Sequence, residues 1–194
     1  MKKASANPFR LDRTVVPVRY AIDLTVDIDG SSFTGRQTVV LKVAAPLTQI
    51  TLHALDLKVR SAVLPRAASG PLKASRITFD ADKETVTLHF PRVVKPREAE
   101  ELTLEYAGTL NDQMHGFYRT SYKVDGRKRW GAATQFEATD ARRCFPCWDE
   151  PDLKATFDVT LRVPKDLTAL SNMPAKSQRV TGDRKVVVYQ TTPV

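Results

Sequence analysis

Histidine and cysteine are scarce in this chain of 194 residues, with three of the first and two of the second. His53, His89 and His115 lie dozens of positions apart, and no His-Glu-x-x-His occurs. A catalytic zinc takes three protein ligands and a water, two of the ligands commonly a helical His pair four residues apart, so no catalytic metal site is expected from these residues. A lone Cys144/Cys147 pair does not make a disulfide scaffold in a chain of this length. Long apolar runs are missing as well: nothing approaches the ~20 residues of a membrane span. Residues 1–8 begin with charge but carry no apolar segment after it, unlike an export signal. Together these absences predict a cytoplasmic protein without membrane contact.

Helical periodicity is nearly absent too, and twelve prolines with eight glycines interrupt the chain too often for long helices. The remaining composition is ordinary for a globular domain, 42% hydrophobic and 27% charged residues. A chain of this length can bury roughly 70% of its unfolded surface, enough for one substantial core. The net charge of +8 raises the question of nucleic acid. The longest basic run is only Arg127-Lys128-Arg129, other cations mostly alternate with acids or apolar residues, and no nucleic-acid motif appears. A solvated basic surface, with no nucleic-acid partner, is the expectation.

Period-two alternation dominates. Tyr20, Ile22, Leu24, Val26 and Ile28 alternate with Ala21, Asp23, Thr25 and Asp27, as in a strand with one wet face. Asp29, Gly30, Ser31 and Ser32 supply a turn, and Phe33, Gly35, Gln37, Val39, Leu41 and Val43 continue as a partner strand. Further strands are expected over 50–54, 55–65, 77–80, 85–90, 101–108, 130–136, 155–164 and 185–192, with a surface loop over 65–71. Short strands at such spacing predict an all-β fold, a mostly antiparallel β-sandwich.

The densest chemistry lies in residues 134–151, Thr-Gln-Phe-Glu-Ala-Thr-Asp-Ala-Arg-Arg-Cys-Phe-Pro-Cys-Trp-Asp-Glu-Pro. Gln135 and Glu137 are two apart, so an extended backbone displays both on one side while Phe136 turns to the other. The stretch closely resembles the zinc aminopeptidases of the aminopeptidase N and puromycin-sensitive (gluzincin) family, where a Thr-Gln-x-Glu strand precedes an Ala-Arg-Arg-x-Phe-Pro-Cys-x-Asp-Glu-Pro turn. Residues 10–24 and 110–122 look like the same family, the latter with Thr120 where Ser is usual in Gly-Phe-Tyr-Arg-Ser.

The resemblance implies that residues 1–194 are the amino-terminal β-domain of a longer zinc metallopeptidase, with a curved, saddle-like sandwich and a thermolysin-like catalytic domain beyond it. It implies that Glu137 holds the free amino group of a peptide substrate and that Gln135 lines the pocket for the first side chain. Relatives with a different, epoxide-hydrolase chemistry carry Gln at the position of Glu137, so Glu favours plain aminopeptidase action. The family's Gly-x-Met-Glu-Asn loop is absent from this sequence. No catalytic or metal-binding residue is therefore expected here: zinc belongs to the parent, none to this piece, and the piece alone is expected to be inactive. Expected partners are the substrate's amino terminus and the downstream catalytic domain. The alternative is a non-catalytic β-sandwich scaffold or protein-binding module.

Cys144 and Cys147 have Cys-x-x-Cys spacing but no second half of a zinc ribbon, and read as structural thiols. Arg142, Arg143, Asp149, Glu150 and Asp152 read as ion pairs that pin an irregular turn against the neighbouring domain. Phe117 and Tyr118 read as anchors of a loop at the domain junction or as core aromatics.

Overall fold

The computed structural model describes residues 10–65 and 70–194, which form thirteen strands and one short 3-10 helix. β1 (Val15–Asp27) and β2 (Ser32–Val43) make the expected hairpin. Tyr20, Ile22, Leu24 and Val26 face inward from β1, and Phe33, Val39, Leu41 and Val43 from β2. The turn is fixed locally: the Asp27 carboxylate accepts from the Gly30 N–H at 3.0 Å, and the Ile28 carbonyl accepts from the Ser31 N–H at 3.3 Å.

This hairpin is the centre of an eight-stranded sheet. Beside β2 lie β8 (Arg97–Thr109), β4 (Leu57–Leu64) and the two-residue β5 (Leu72–Lys73). Beside β1 lie β11 (Thr156–Pro164), β13 (Arg184–Tyr189) and, at the edge, β12 (Ala175–Thr181). Every neighbouring pair is antiparallel except β1 with β11, which runs parallel from Arg19 opposite Thr156 to Thr25 opposite Arg162. Register shifts at Pro17/Arg19, Leu41/Val43 and Val59/Ser61 bend the strands, because an extra residue on one side of a ladder bends it and tightens its twist.

A second sheet, β3 (Leu47–His53), β7 (Thr85–Val94) and β6 (Arg76–Asp80), closes over the first. Ile50, Leu52, Val86 and Leu88 from it join Tyr20, Leu41, Leu102 and Leu104 in one buried cluster. Each such large side chain contributes roughly 1.5–3 kcal/mol by leaving water. The architecture is the expected mostly antiparallel, curved β-sandwich. The third sheet is a hairpin on its own, β9 (Gly116–Val124) with β10 (Arg127–Gln135).

The differences from the sequence reading are physical. β12 is exposed at every position and β9 beyond Phe117 is half-buried or exposed, so neither shows the alternation that marks a half-buried strand. β10 begins at Arg127 and stops at Gln135, one residue short of the expected 130–136. Of the expected loop 65–71, residues 66–69 lie outside the described residues.

Candidate functional site

The β9–β10 hairpin carries the site at its base, where Gln135 pairs with Gly116. The next residue, Phe136, turns into the core and meets the edge of Phe145 at 5.9 Å. Phe145 in turn lies edge-on to Tyr20 and Phe157, which stack on each other at 4.9 Å. Phe136 is held inward, and Gln135 and Glu137 are both exposed, but so are Thr134 and Ala138, so strand alternation does not set their exposure. Glu137 itself stands past the end of β10, in a turn closed by the Asp140 N–H donating to the Phe136 carbonyl at 2.9 Å, and the Glu137–Ala138 peptide is cis. Among the described residues neither the Gln135 nor the Glu137 side chain has a hydrogen-bond or ion-pair partner.

The segment after this turn fastens it to the sandwich. The 3-10 helix Ala141–Arg143 buries Arg142, whose Nε donates to Asp149 Oδ2 at 3.0 Å and whose Nη1 donates to Glu84 Oε2 at 2.8 Å. The Arg142 carbonyl accepts from the Leu55 N–H at 3.0 Å. Arg143 pairs with Asp140 at 2.8 Å and with Asp56. Gly116 comes against this helix with φ +64°, and a Cβ there would stand 2.7 Å from that of Arg143, so both conformation and space require glycine.

Cys144, Phe145, Cys147 and Trp148 then run through the interior of the sandwich. Cys147 and His53 exchange backbone hydrogen bonds at 2.8 and 3.0 Å, Gln37 Nε2 donates to the Pro146 carbonyl at 2.7 Å, and the Trp148 N–H donates to Tyr20 Oη at 3.2 Å. Both thiols are free and buried, and burial pushes both well above the ordinary cysteine value. They are structural, as read. The charged residues are ion-paired as read, but their partners lie in this same domain: Glu150 takes Arg13 at 2.5 Å, and Asp152 takes Arg10 at 2.9 Å. Phe117 is buried against Phe33 at 5.0 Å between ring centres, a core aromatic; Tyr118 is half-buried on β9.

The sequence reading overlooks the fasteners His53, Tyr20 and Gln37. A signal existed for one of them: Gln37 stands in the inward row with Val39 and Leu41, and a buried amide needs a partner. His53 and Tyr20 gave none, because their partners are 96 and 128 residues away.

The histidines do not converge. His53 Nδ1 accepts from the Asp149 N–H, His89 Nε2 meets Thr78 Oγ1 at 2.9 Å, and His115 Nε2 meets Gln113 Oε1 at 2.9 Å. Among the described residues no group of three or more His, Cys, Asp or Glu side chains is arranged to hold a metal ion, so these residues do not fit a zinc centre. Next to the Gln135–Glu137 turn an apolar groove of about 450 Å³ opens between the hairpin, including Trp130 and Thr134, and the face of β1 and β11, including Leu24 and Leu161.

Residues 16–194 match the family model described as the peptidase M1 N-terminal domain. The chain is 44% identical to Aminopeptidase M1 of Arabidopsis thaliana, with 95% of this chain and 21% of that protein aligned. It is 40% identical to Aminopeptidase N of Acetobacter pasteurianus, over 95% of this chain and 51% of that one. It is 37% identical to the Puromycin-sensitive aminopeptidase of Caenorhabditis elegans, over 95% of this chain and 20% of that one. The chain thus spans between about a fifth and a half of the length of these relatives. An all-β sandwich with this hairpin, and a match over nearly its whole length, place it: the chain belongs to the peptidase M1 N-terminal domain family, the amino-terminal domain of M1 (gluzincin) aminopeptidases.

Proposed function

We propose that this domain serves a zinc-dependent aminopeptidase by holding the free amino group of a peptide substrate on Glu137, with Gln135 lining the pocket for the first side chain. The supporting observation is the pair itself: two exposed polar side chains without partners among the described residues, on a turn fastened to the core by Phe136 and Arg142. A carboxylate within about 4 Å of an ammonium gains on the order of 4 kcal/mol at an effective dielectric of about 20, before desolvation is subtracted. That gain exists for a free amino terminus and not for an internal peptide bond, which separates removal of terminal residues from cleavage within a chain. The Gln135 amide donates and accepts at once, so it orients a substrate without adding charge.

Zinc, with the Lewis-acid and water-activating chemistry it would supply, would be held by a further domain of the parent protein and not by these residues. The described residues offer no cluster for its ligands, and their proposed part is binding and orientation. The test is hydrolysis of aminoacyl chromogenic amides by the full-length protein with zinc, comparing wild type, Glu137→Ala and Glu137→Gln, with the 194-residue chain alongside. A raised KM in both variants and no turnover by the 194-residue chain support the reading. Unchanged kinetics in both variants refute the amine anchor, and a full-length protein without turnover favours the scaffold alternative.

A further inference from the structure

The outer part of the β9–β10 hairpin carries Arg119, Lys123, Arg127, Lys128 and Arg129 against a single acid, Asp125. Among the described residues none of these cations forms a salt bridge, whereas Arg13, Arg19, Arg142, Arg143 and Arg162 each face a carboxylate. Uncompensated positive charge is therefore concentrated on one projecting element.

Two of the cations are held in place. Arg119 Cζ lies 3.8 Å from the centroid of the Trp130 ring and Lys128 Nζ lies 4.0 Å from it. Trp130 opposes Ser121, Ala132 opposes Arg119 and Lys128 opposes Lys123, so these side chains share one face, with Arg119 on the base side of the indole and Lys128 on the tip side. Arg119 Nη1 also donates to Ser31 Oγ at 3.0 Å. Long basic side chains ordinarily give up rotamer freedom when they bind; here the indole has already ordered two of them. The outer edge of β10 has no strand neighbour among the described residues, so backbone N–H and C=O groups are open to an added strand beside those cations.

We propose that this hairpin face binds an acidic, extended segment of a protein partner, its carboxylates meeting Arg119, Lys128 and Lys123 and its backbone adding to the edge of β10. The proposal stands apart from the amine-anchor reading, which concerns the opposite, basal end of the hairpin. Single-stranded nucleic acid fits less well, because it needs aromatic faces free to stack on bases, and the ring of Trp130 is already engaged by two cations. A second copy of the chain is disfavoured by its net charge of +8.

The test is fluorescence anisotropy with the full-length protein and three labelled probes: a Glu/Asp/Ser peptide of about ten residues, its Gln/Asn/Ser counterpart, and an oligothymidylate of similar length. The acidic peptide is expected to bind about tenfold more tightly than the neutral one and to weaken with salt. Arg119→Gln with Lys128→Gln is expected to weaken it about tenfold, and Lys123→Gln with Lys128→Gln, which leaves the Ser31 contact intact, by a similar factor. Lys73→Gln with Lys95→Gln, an equal charge loss on other exposed strand ends, is expected to change it less than about twofold. Equal losses in the hairpin and control variants, no preference for the acidic over the neutral peptide, or tighter binding of the oligothymidylate would each overturn the proposal.

Discussion

The backbone N–H of Asp149 donates to Nδ1 of His53 at 3.1 Å. With Nδ1 accepting, the ring is neutral and carries its proton on Nε2. Burial, aided by the guanidinium of Arg142, pushes the imidazole down from 6.5 to about 4. His53 also exchanges both backbone hydrogen bonds with Cys147, so the end of β3 and the segment after the Gln135–Glu137 turn are one fastened unit.

This unit gives the domain an acid sensitivity with a defined window. The unfolded chain takes up a proton at His53 near pH 6.5 and the folded chain only near pH 4. The unfolded state therefore binds more protons between the two, and stability falls as pH drops through that window, by up to about 3 kcal/mol, with no contribution from this group above it. Asp12, held down by hydrogen bonds from Thr14, and Asp158, held down by Arg19, act separately, below their ordinary value of 3.8. Urea midpoints of the 194-residue chain between about pH 7 and pH 4 read the effect. His53→Asn keeps an acceptor and does not titrate, so its midpoint is expected to change less over the same range; an unchanged slope counts against this assignment.

Arg142 is expected to be costly to replace in the site's support. Its guanidinium is buried between Asp149 and Glu84. Arg142→Ala leaves the Asp149 carboxylate, itself largely buried, without its partner, an arrangement that costs about 3–5 kcal/mol. Arg142→Lys restores the charge but not the two-directional fork, and is expected to recover less than half of the loss. Denaturant titration of both variants measures it; a loss in Arg142→Ala under about 1 kcal/mol would show that the ion pairs do not carry the segment.

The same contacts show where sequence is sufficient and where it is not. The inward rows of β1 and β2 are legible because alternation is a local consequence of strand geometry and one face of each strand is dry. The exposure of Glu137 has a different origin, since strand alternation ends at Gln135 and Glu137 lies in the turn that follows. β12 is not legible, since an exposed edge strand has no dry face to pattern. Nor is the parallel pairing of β1 with β11, or the path of Cys144 to Trp148 through the core, because both depend on partners more than a hundred residues away in sequence. Family resemblance locates the polar pair, but the fastening by His53, Tyr20 and Gln37 is visible only in three dimensions.

Gly35 and Tyr106 form a second close relationship in the core. A Cβ on Gly35 would stand 2.2 Å from Cζ of the Tyr106 ring, which is itself fully buried. Gly35→Ala therefore forces the ring off its site and is expected to cost about 3 kcal/mol, at the upper end for an overpacked core. Tyr106→Leu alone opens a cavity and also destabilises. Because each change relieves the other, the double variant is expected to be more stable than the sum of the singles predicts, by more than about 1 kcal/mol in a double-mutant cycle. Strict additivity would mean that the two residues do not share the space.

The division of labour between Phe136 and Glu137 can be read in the same way. Glu137 is exposed and has no partner among the described residues, so Glu137→Gln is expected to leave stability within about 0.5 kcal/mol of wild type. Phe136 is half-buried against Phe145, so Phe136→Ala is expected to cost about 2 kcal/mol. On the proposed amine-anchor reading, both are expected to raise KM for aminoacyl amides in the full-length protein, the first by removing the charge proposed to meet the amine and the second by loosening the turn that carries it. Phe136→Leu, which keeps an apolar plug without the ring, is expected to recover most of the stability and most of the KM together. If Phe136→Ala raised KM and Phe136→Leu restored stability alone, the aromatic contact with Phe145 would be the feature that orients Glu137. If Phe136→Ala left KM at the wild-type value despite its loss of stability, the turn would hold its shape without that plug, through Arg142 and Arg143 alone.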